Sequence, residues 1–168
     1  MGMTCHVRRS TDSGTVETDR VFVPDGESMS ALGRHLARRL RPGDVFLLHG
    51  DLGAGKTTLT QGIAAGLGID GPIQSPTFTL VAEHCVPAPP SGIETLYHLD
   101  LYRLDDLEDL ESIGYEQFLD PVDAITIVEW PERAGDWLPG RFTLIRIDYA
   151  EGGGRNVSID TIDRTSPG

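Results

Sequence analysis

The chain has 168 residues, 39% of them hydrophobic and 24% charged, which suits one domain of ordinary size with a sizeable core and argues against wholesale disorder. Acidic residues outnumber basic ones by 26 to 14, and a balance of −12 makes the chain a poor candidate for gripping a nucleic-acid backbone or an anionic membrane by itself. Residues 100–132 hold eleven of the acids against one arginine, and thirteen of the 14 basic residues are arginine, Lys56 being the one lysine. Cys5 and Cys85 have no ligand-type spacing and suggest no disulfide framework, as in a reducing compartment. With no secretory signal and no apolar run near the length of a bilayer span, a cytoplasmic protein without membrane attachment is expected.

Residues 1–14 are polar and aperiodic and are expected to form a flexible N-terminal arm. Residues 15–23 alternate through Val16, Thr18, Val21 and Val23 and predict a strand at a sheet edge. Asp25 suits the N-cap of a helix reaching about residue 40, with Met29, Leu32, Leu36 and Leu40 at helical spacing and Pro42-Gly43 as its stop. Val45-Phe46-Leu47-Leu48 predicts a buried central strand, followed by a glycine-rich turn over 50–55. Residues 56–67 read as a second helix with Leu59, Ile63 and Leu67 on one face, ended by Gly68. Residues 77–83 and 94–99 are strand-like. The proline-rich connection between them is too short for a helical crossover, so an antiparallel pair is expected. Residues 105–112 and 114–119 predict two short acidic helices. Residues 124–129 read as another buried strand, ending in Glu129. Residues 141–149 and 156–162 alternate and predict two late strands joined across Gly152-Gly153-Gly154. The tail, 163–168, is expected to fray, leaving 15–162 as a single domain.

The segment Gly50-Asp51-Leu52-Gly53-Ala54-Gly55-Lys56-Thr57 fits G-x-x-x-x-G-K-[ST]. A triphosphate is a dense anion. Glycines let successive backbone N–H groups turn inward around it, and the following helix adds its positive N-terminal end. In this pattern Lys56 reaches the β and γ phosphates and the Thr57 hydroxyl ligates Mg²⁺. Chance alone produces the pattern in about 1% of chains this long, given ordinary residue frequencies. A buried strand before it and an amphipathic helix after it are the required context. The expected fold is therefore an α/β, P-loop nucleoside triphosphatase-like three-layer sandwich with a mixed parallel/antiparallel sheet. The lone lysine reinforces the motif, because a compact ammonium on a flexible stem serves phosphates differently from a planar guanidinium.

A guanine-reading Asn-Lys-x-Asp element is missing, since the one lysine is already used and Asn156 is misplaced. A small-molecule kinase remains an alternative, although no arginine-bearing lid follows the loop. Four elements in order carry a resemblance: His49 to Thr58; Ser75-Pro76-Thr77-Phe78; His98-Leu99-Asp100-Leu101-Tyr102-Arg103-Leu104; and Val128-Glu129-Trp130-Pro131-Glu132. Together, over roughly 27–147, they resemble the TsaE (YjeE) family, the ATPase of bacterial tRNA threonylcarbamoyladenosine biosynthesis. The resemblance implies slow hydrolysis of ATP with Mg²⁺. It also implies work alongside threonylcarbamoyl-transferase complex proteins, with tRNA reached only through those partners.

Chemistry and resemblance then assign roles. Asp51, Leu52, Gly53, Ala54, Gly55, Lys56, Thr57 and Thr58 form the nucleotide cradle, with Thr58 toward the α phosphate or the helix start. Asp100 and Glu129 end predicted strands, where ligands gather in open α/β sheets. Glu129 takes the Mg²⁺ role with Thr57, and Asp100 binds Mg²⁺ or positions water, the two being interchangeable. Lys56, Asp100 and Glu129 are the expected catalytic set. Ser75-Pro76-Thr77 resembles a switch segment, with Thr77 at the nucleotide. Trp130 stacks on the adenine, faces a partner or fills the core. Arg103 supplies a transition-state charge or pairs with the acidic helices. His49 and His98 are strand-end residues not expected to bind metal, while Phe78, Leu99 and Val128 are expected in the core. The acidic segment 105–116 is either a solvated face or a docking surface.

Overall fold

Val45–Gly50 (β3) alternates its side chains between two cores, Phe46 and Leu48 packing in one, Val45 and Leu47 in the other. Ala124–Glu129 (β6) does the same, with Ile125 and Ile127 on the first side and Val128 on the second. Strands covered on both faces read as unbroken apolar runs. The structure, a computed structural model, describes residues 5–11, 14–76, 78–87 and 92–164. Cys5–Thr11 (β1), Gly14–Val23 (β2), Val81–Cys85 (β4), Thr95–Asp100 (β5), Arg141–Tyr149 (β7) and Arg155–Asp163 (β8) complete an eight-stranded sheet of order β1-β2-β8-β7-β3-β6-β5-β4. The central strands β7, β3, β6 and β5 are parallel. On one flank β4 pairs antiparallel with β5, and on the other β8, β2 and β1 continue antiparallel.

Gly26–Ala37 (α1) and Lys56–Gly66 (α2) cover one face. Glu108–Ser112 (α3), Tyr115–Leu119 (α4) and the 3-10 turn Pro131–Ala134 cover the other, burying Leu110, Tyr115, Phe118 and Ala134. This is the α/β three-layer sandwich with a mixed sheet that the sequence predicts. Among the described residues, no helix is long and apolar enough to cross a membrane.

Several local expectations change. Residues 5–11 form β1 where the sequence predicts a loose arm, and β2 is consequently an interior strand, paired on both sides. The open edge of β2 supplies the hydrogen bonds for β1, so no apolar pattern is needed to define it. Strand β4 begins only at Val81, because Leu80 sits at φ +62°, a left-handed conformation that ends an extended run. Phe78, expected in the core, lies before that break and is 88% exposed. Helix α1 stops at Ala37, although the turn beyond it still buries Leu40. Thr77, residues 1–4 and 12–13 of the arm, 88–91 of the proline-rich connection and 165–168 of the tail lie outside the described residues.

The two covering helices meet through backbone. Asp25 caps α1 by accepting from the Ser28 N–H at 2.8 Å, a bond that also lowers the Asp25 carboxyl pKa. The face of α1 that buries is Met29, Gly33 and Ala37, while Leu32 and Leu36 are only partly covered. A Cβ on Gly33 would stand 2.5 Å from the Leu59 carbonyl oxygen, and one on Gly62 would stand 2.3 Å from that of Ser30. Alanine normally stabilises a helix by about 1 kcal/mol over glycine. Here backbone blocks it, so Gly62→Ala is expected to destabilise by about 2 kcal/mol in urea denaturation. Gly26→Ala, with nothing within 4 Å of the added carbon, is expected to be neutral or stabilising in the same measurement.

Candidate functional site

Strand β3 ends at Gly50, and the chain must turn into α2 at Lys56 within the loop between them. Gly53 at φ +78° and Gly55 at φ +117° make that turn, conformations that a side chain would oppose. Gly55 is the N-cap of α2 and offers no side-chain cap, which leaves the first amides of the helix for an anion. Lys56 is buried, donates to the carbonyls of Gly50 and, at 2.9 Å, Asp51, and lies 4.1 Å from the Trp130 ring centre. Burial lowers its pKa, against the opposing pull of Glu129, Glu132, Asp100 and Asp51.

The parallel register of β5 and β6 pairs Asp100 with Glu129, each the last residue of its strand. On its other side Glu129 is level with Leu48 of β3, which brings it to the loop. Both carboxylates are nearly sealed, Asp100 at 8% and Glu129 at 2% exposure. Thr57 Oγ1 donates to Glu129 Oε1 at 3.1 Å. Ser75 Oγ reaches Glu129 Oε2 at 2.9 Å and also contacts Asp100 Oδ2. A hydroxyl has one proton, so Ser75 serves one carboxylate at a time. The Tyr102 N–H donates to Asp100 Oδ1 at 3.0 Å. His98 is fully buried, with Nε2 3.5 Å from Glu129 Oε2, longer than a good hydrogen bond, and neither ring nitrogen has a hydrogen-bond partner among the described residues. Burial pushes the Glu129 pKa up, but His98, Ser75 and Thr57 together outweigh it and hold the carboxyl below its ordinary value.

Lys56, Thr57, Ser75, Asp100, Tyr102 and Glu129 line one cleft of about 380 Å³, together with Gly53, Gly55, Thr58, Arg103 and Trp130. Asp51 contributes its carbonyl to Lys56, Leu52 stands exposed on the rim, and Ala54 is buried under the loop. Trp130 packs on Tyr102 at 4.9 Å, and the Arg103 guanidinium lies 5.2 Å over the Phe78 ring. His49 contacts Glu132 at 3.8 Å. A larger cleft of about 590 Å³ opens at the opposite end of the sheet, between Gly43 and Arg141, away from the loop. The convergence of Lys56, Thr57 and two carboxylates distinguishes the smaller one.

The oxygen donors Thr57, Asp100 and Glu129 could hold a hard cation. Among the described residues no cluster of three or more His, Cys, Asp or Glu side chains forms a cage. A hydroxyl with one or two carboxylates fits Mg²⁺, which keeps several waters and takes phosphate oxygens as further ligands. Sequence reasoning missed the double contact of Ser75 and the closeness of His98 to Glu129. For His98 the signal was present, because it lies two residues before Asp100 and strand side chains two apart share a face.

The sign of the Glu129 shift sets a pH dependence. A carboxyl held below its ordinary pKa adds stability above that value, and the contribution is lost as pH falls through the lowered folded value. The stability of wild type relative to Glu129→Gln is therefore expected to be greatest near neutrality and to shrink steadily below about pH 4.5. Urea unfolding of both proteins from pH 7 to pH 3 checks it, since every other carboxylate is common to the pair.

Comparison with known proteins identifies the family. The family model described as threonylcarbamoyl adenosine biosynthesis protein TsaE matches residues 23–157. The tRNA threonylcarbamoyladenosine biosynthesis protein TsaE of Synechocystis is 50% identical over 115 residues, covering 67% of this chain and 69% of that protein. Its namesake in Nostoc is 41% identical over 149 residues, covering 87% and 88%. The crystal structure of Bacillus subtilis YdiB superposes with a TM-score of 0.61 at 29% identity, covering 96% of this chain and 88% of that one. The chain belongs to the TsaE family, whose members take part in tRNA threonylcarbamoyladenosine biosynthesis.

Proposed function

We propose that this chain binds ATP with Mg²⁺, hydrolyses it slowly, and in the cytoplasm supports the protein complex that transfers a threonylcarbamoyl group to a tRNA adenosine. The observation that carries the reading is the meeting of Thr57, Asp100 and Glu129 at the mouth of a glycine-rich loop bearing the chain's single lysine. The loop amides and the start of α2 bind the phosphates, and Lys56 exchanges the Gly50 and Asp51 carbonyls for phosphate oxygens. Thr58, one residue further into α2, faces the α phosphate. Thr57 and Glu129 hold Mg²⁺, with Asp100 binding it directly or through water. When bound, Mg²⁺ neutralises phosphate charge and polarises the phosphoryl group. The second carboxylate orients the attacking water, and Ser75, able to donate to either acid, moves with the Ser75-Pro76-Thr77 switch. Trp130 covers Lys56 at the phosphate end of the cleft and takes part in nucleotide binding.

Partner proteins hold the tRNA in this scheme, in keeping with a balance of −12 on this chain. The exposed acids Asp105, Asp106, Glu108 and Asp109 form the face that docks on those proteins. Binding measured at low salt after changing all four to Asn or Gln should fall about ten-fold or more. Unchanged affinity would remove that face from the interface.

Hydrolysis itself is tested with labelled ATP. Label released as inorganic phosphate supports the ATPase, whereas label on a small metabolite would make the protein a kinase. Lys56→Ala is expected to lower both nucleotide affinity and turnover, the latter on the order of 100-fold. Glu129→Ala should cut turnover to a similar extent while changing nucleotide affinity less than about ten-fold. Normal turnover in Glu129→Ala would take that residue out of the catalytic set.

A further inference from the structure

The hairpin between β7 and β8 reaches over the outer side of the glycine-rich loop. Tyr149, the last residue of β7, donates its hydroxyl to the Leu52 carbonyl at 3.0 Å. Arg155, the first residue of β8, donates Nε to the Ala54 carbonyl at 3.0 Å and Nη2 to the Gly53 carbonyl at 3.3 Å. Its Nη1 holds the Gly154 carbonyl at 2.9 Å, bracing the guanidinium against its own turn. The two residues are cross-strand partners, and the guanidinium lies 4.1 Å from the Tyr149 ring centre. Three consecutive loop carbonyls are thus gripped by side chains about a hundred residues later in the chain.

Peptide geometry gives that grip a consequence. In a planar trans peptide the C=O points opposite to the N–H of the next residue. Holding the Leu52 and Ala54 carbonyls toward the hairpin aims the Gly53 and Gly55 N–H groups away from it, on residues that line the nucleotide cleft. The unit between them closes the turn, its Ala54 N–H donating to the Asp51 carbonyl at 3.0 Å. A loop of glycines left to itself would populate many shapes, and a ligand would have to order it on binding.

We infer that Tyr149 and Arg155 are positioning residues for nucleotide binding, setting the loop amides in the phosphate-binding orientation before the nucleotide arrives. The inference rests on the ATP-binding reading above. Arg155 acts here by its fork and not by its charge. A lysine keeps the charge but loses the planar, fixed spread of donors that spans adjacent carbonyls.

Calorimetric titration of Mg-ATP into the full chain tests this, with wild type, Tyr149→Phe, Arg155→Lys, Arg155→Ala and Lys56→Ala compared. Tyr149→Phe removes one hydroxyl from a half-exposed ring, so it leaves the fold intact. It should weaken ATP binding about five-fold, and Arg155→Lys and Arg155→Ala should each weaken it on the order of ten-fold. Amide exchange at Ala54, whose N–H donates to the Asp51 carbonyl, should rise in the nucleotide-free forms of all three, a change that general loss of stability would not confine to the loop. Arg155→Lys binding as tightly as wild type while Arg155→Ala does not would make the role one of charge and overturn the inference. Wild-type affinity in both Tyr149→Phe and Arg155→Lys, with binding lost in Lys56→Ala, would overturn it and leave the ATP reading standing. Absence of ATP binding by wild type would overturn both.

Discussion

Asp100 and Glu129 stand side by side at the ends of adjacent parallel strands, with almost no water around either. Two buried acids repel each other and lose hydration, so each needs specific partners. The end of the sheet is built to supply them. Thr57 and Ser75 bond Glu129, His98 stands beside it, and Ser75 and the Tyr102 amide serve Asp100. Lys56, buried in the same cleft, adds the opposite charge. All of this depends on register. Slipping β5 against β6 by one residue would move Asp100 to the other face and leave Glu129 beside an apolar neighbour.

The loop that faces these carboxylates is held from several directions. Behind it, α2 presses onto α1 so closely that Gly33 and Gly62 have no room for a side chain. That contact fixes where the helix begins, and hence where its unpaired amides point. Below it, Gly50 packs against β7, where an added Cβ would stand 2.8 Å from the Ile147 carbonyl. Above it, Tyr149 and Arg155 take the carbonyls. All three constraints act on backbone, which explains how a segment rich in glycine keeps one shape.

What was legible in the sequence follows from how local each signal is. The loop was legible because its residues are contiguous and its glycines stand where the turn needs positive φ. Strands β3 and β6 were legible because both their faces are covered, and the acids that follow an apolar run stand out. Strand β1 was not, since an added edge strand needs only the free hydrogen bonds of β2. Phe78 was misjudged because a hydrophobic residue near a strand is normally buried, and nothing in its neighbours announces the left-handed Leu80. The helix contact was obscured by the leucines. Met29, Leu32, Leu36 and Leu40 suggest an apolar stripe, yet the tightest contact runs through glycine, which periodicity does not weigh. Ser75 becomes a partner of Glu129 through a loop that belongs to no strand, which sequence spacing does not place, whereas His98 shares its strand face with Asp100.

The charge distribution gains a physical sense from this geometry. A chain at −12 is proposed to bind a polyanion, and its most acidic stretch, residues 100–132, contains the very acids that line the cleft. Most of those acids are on exposed surface, where salt screens them within about 8 Å. Inside the cleft the balance is set by a few groups at contact distance: helix amides and Lys56 on the positive side, Asp100 and Glu129 on the negative. Those carboxylates would repel a bare triphosphate. On the proposed reading, the nucleotide that suits this cleft is one already partnered by a divalent cation, for which the two acids would serve as ligands. Selectivity for the metal-bound form would then come from this same buried pair.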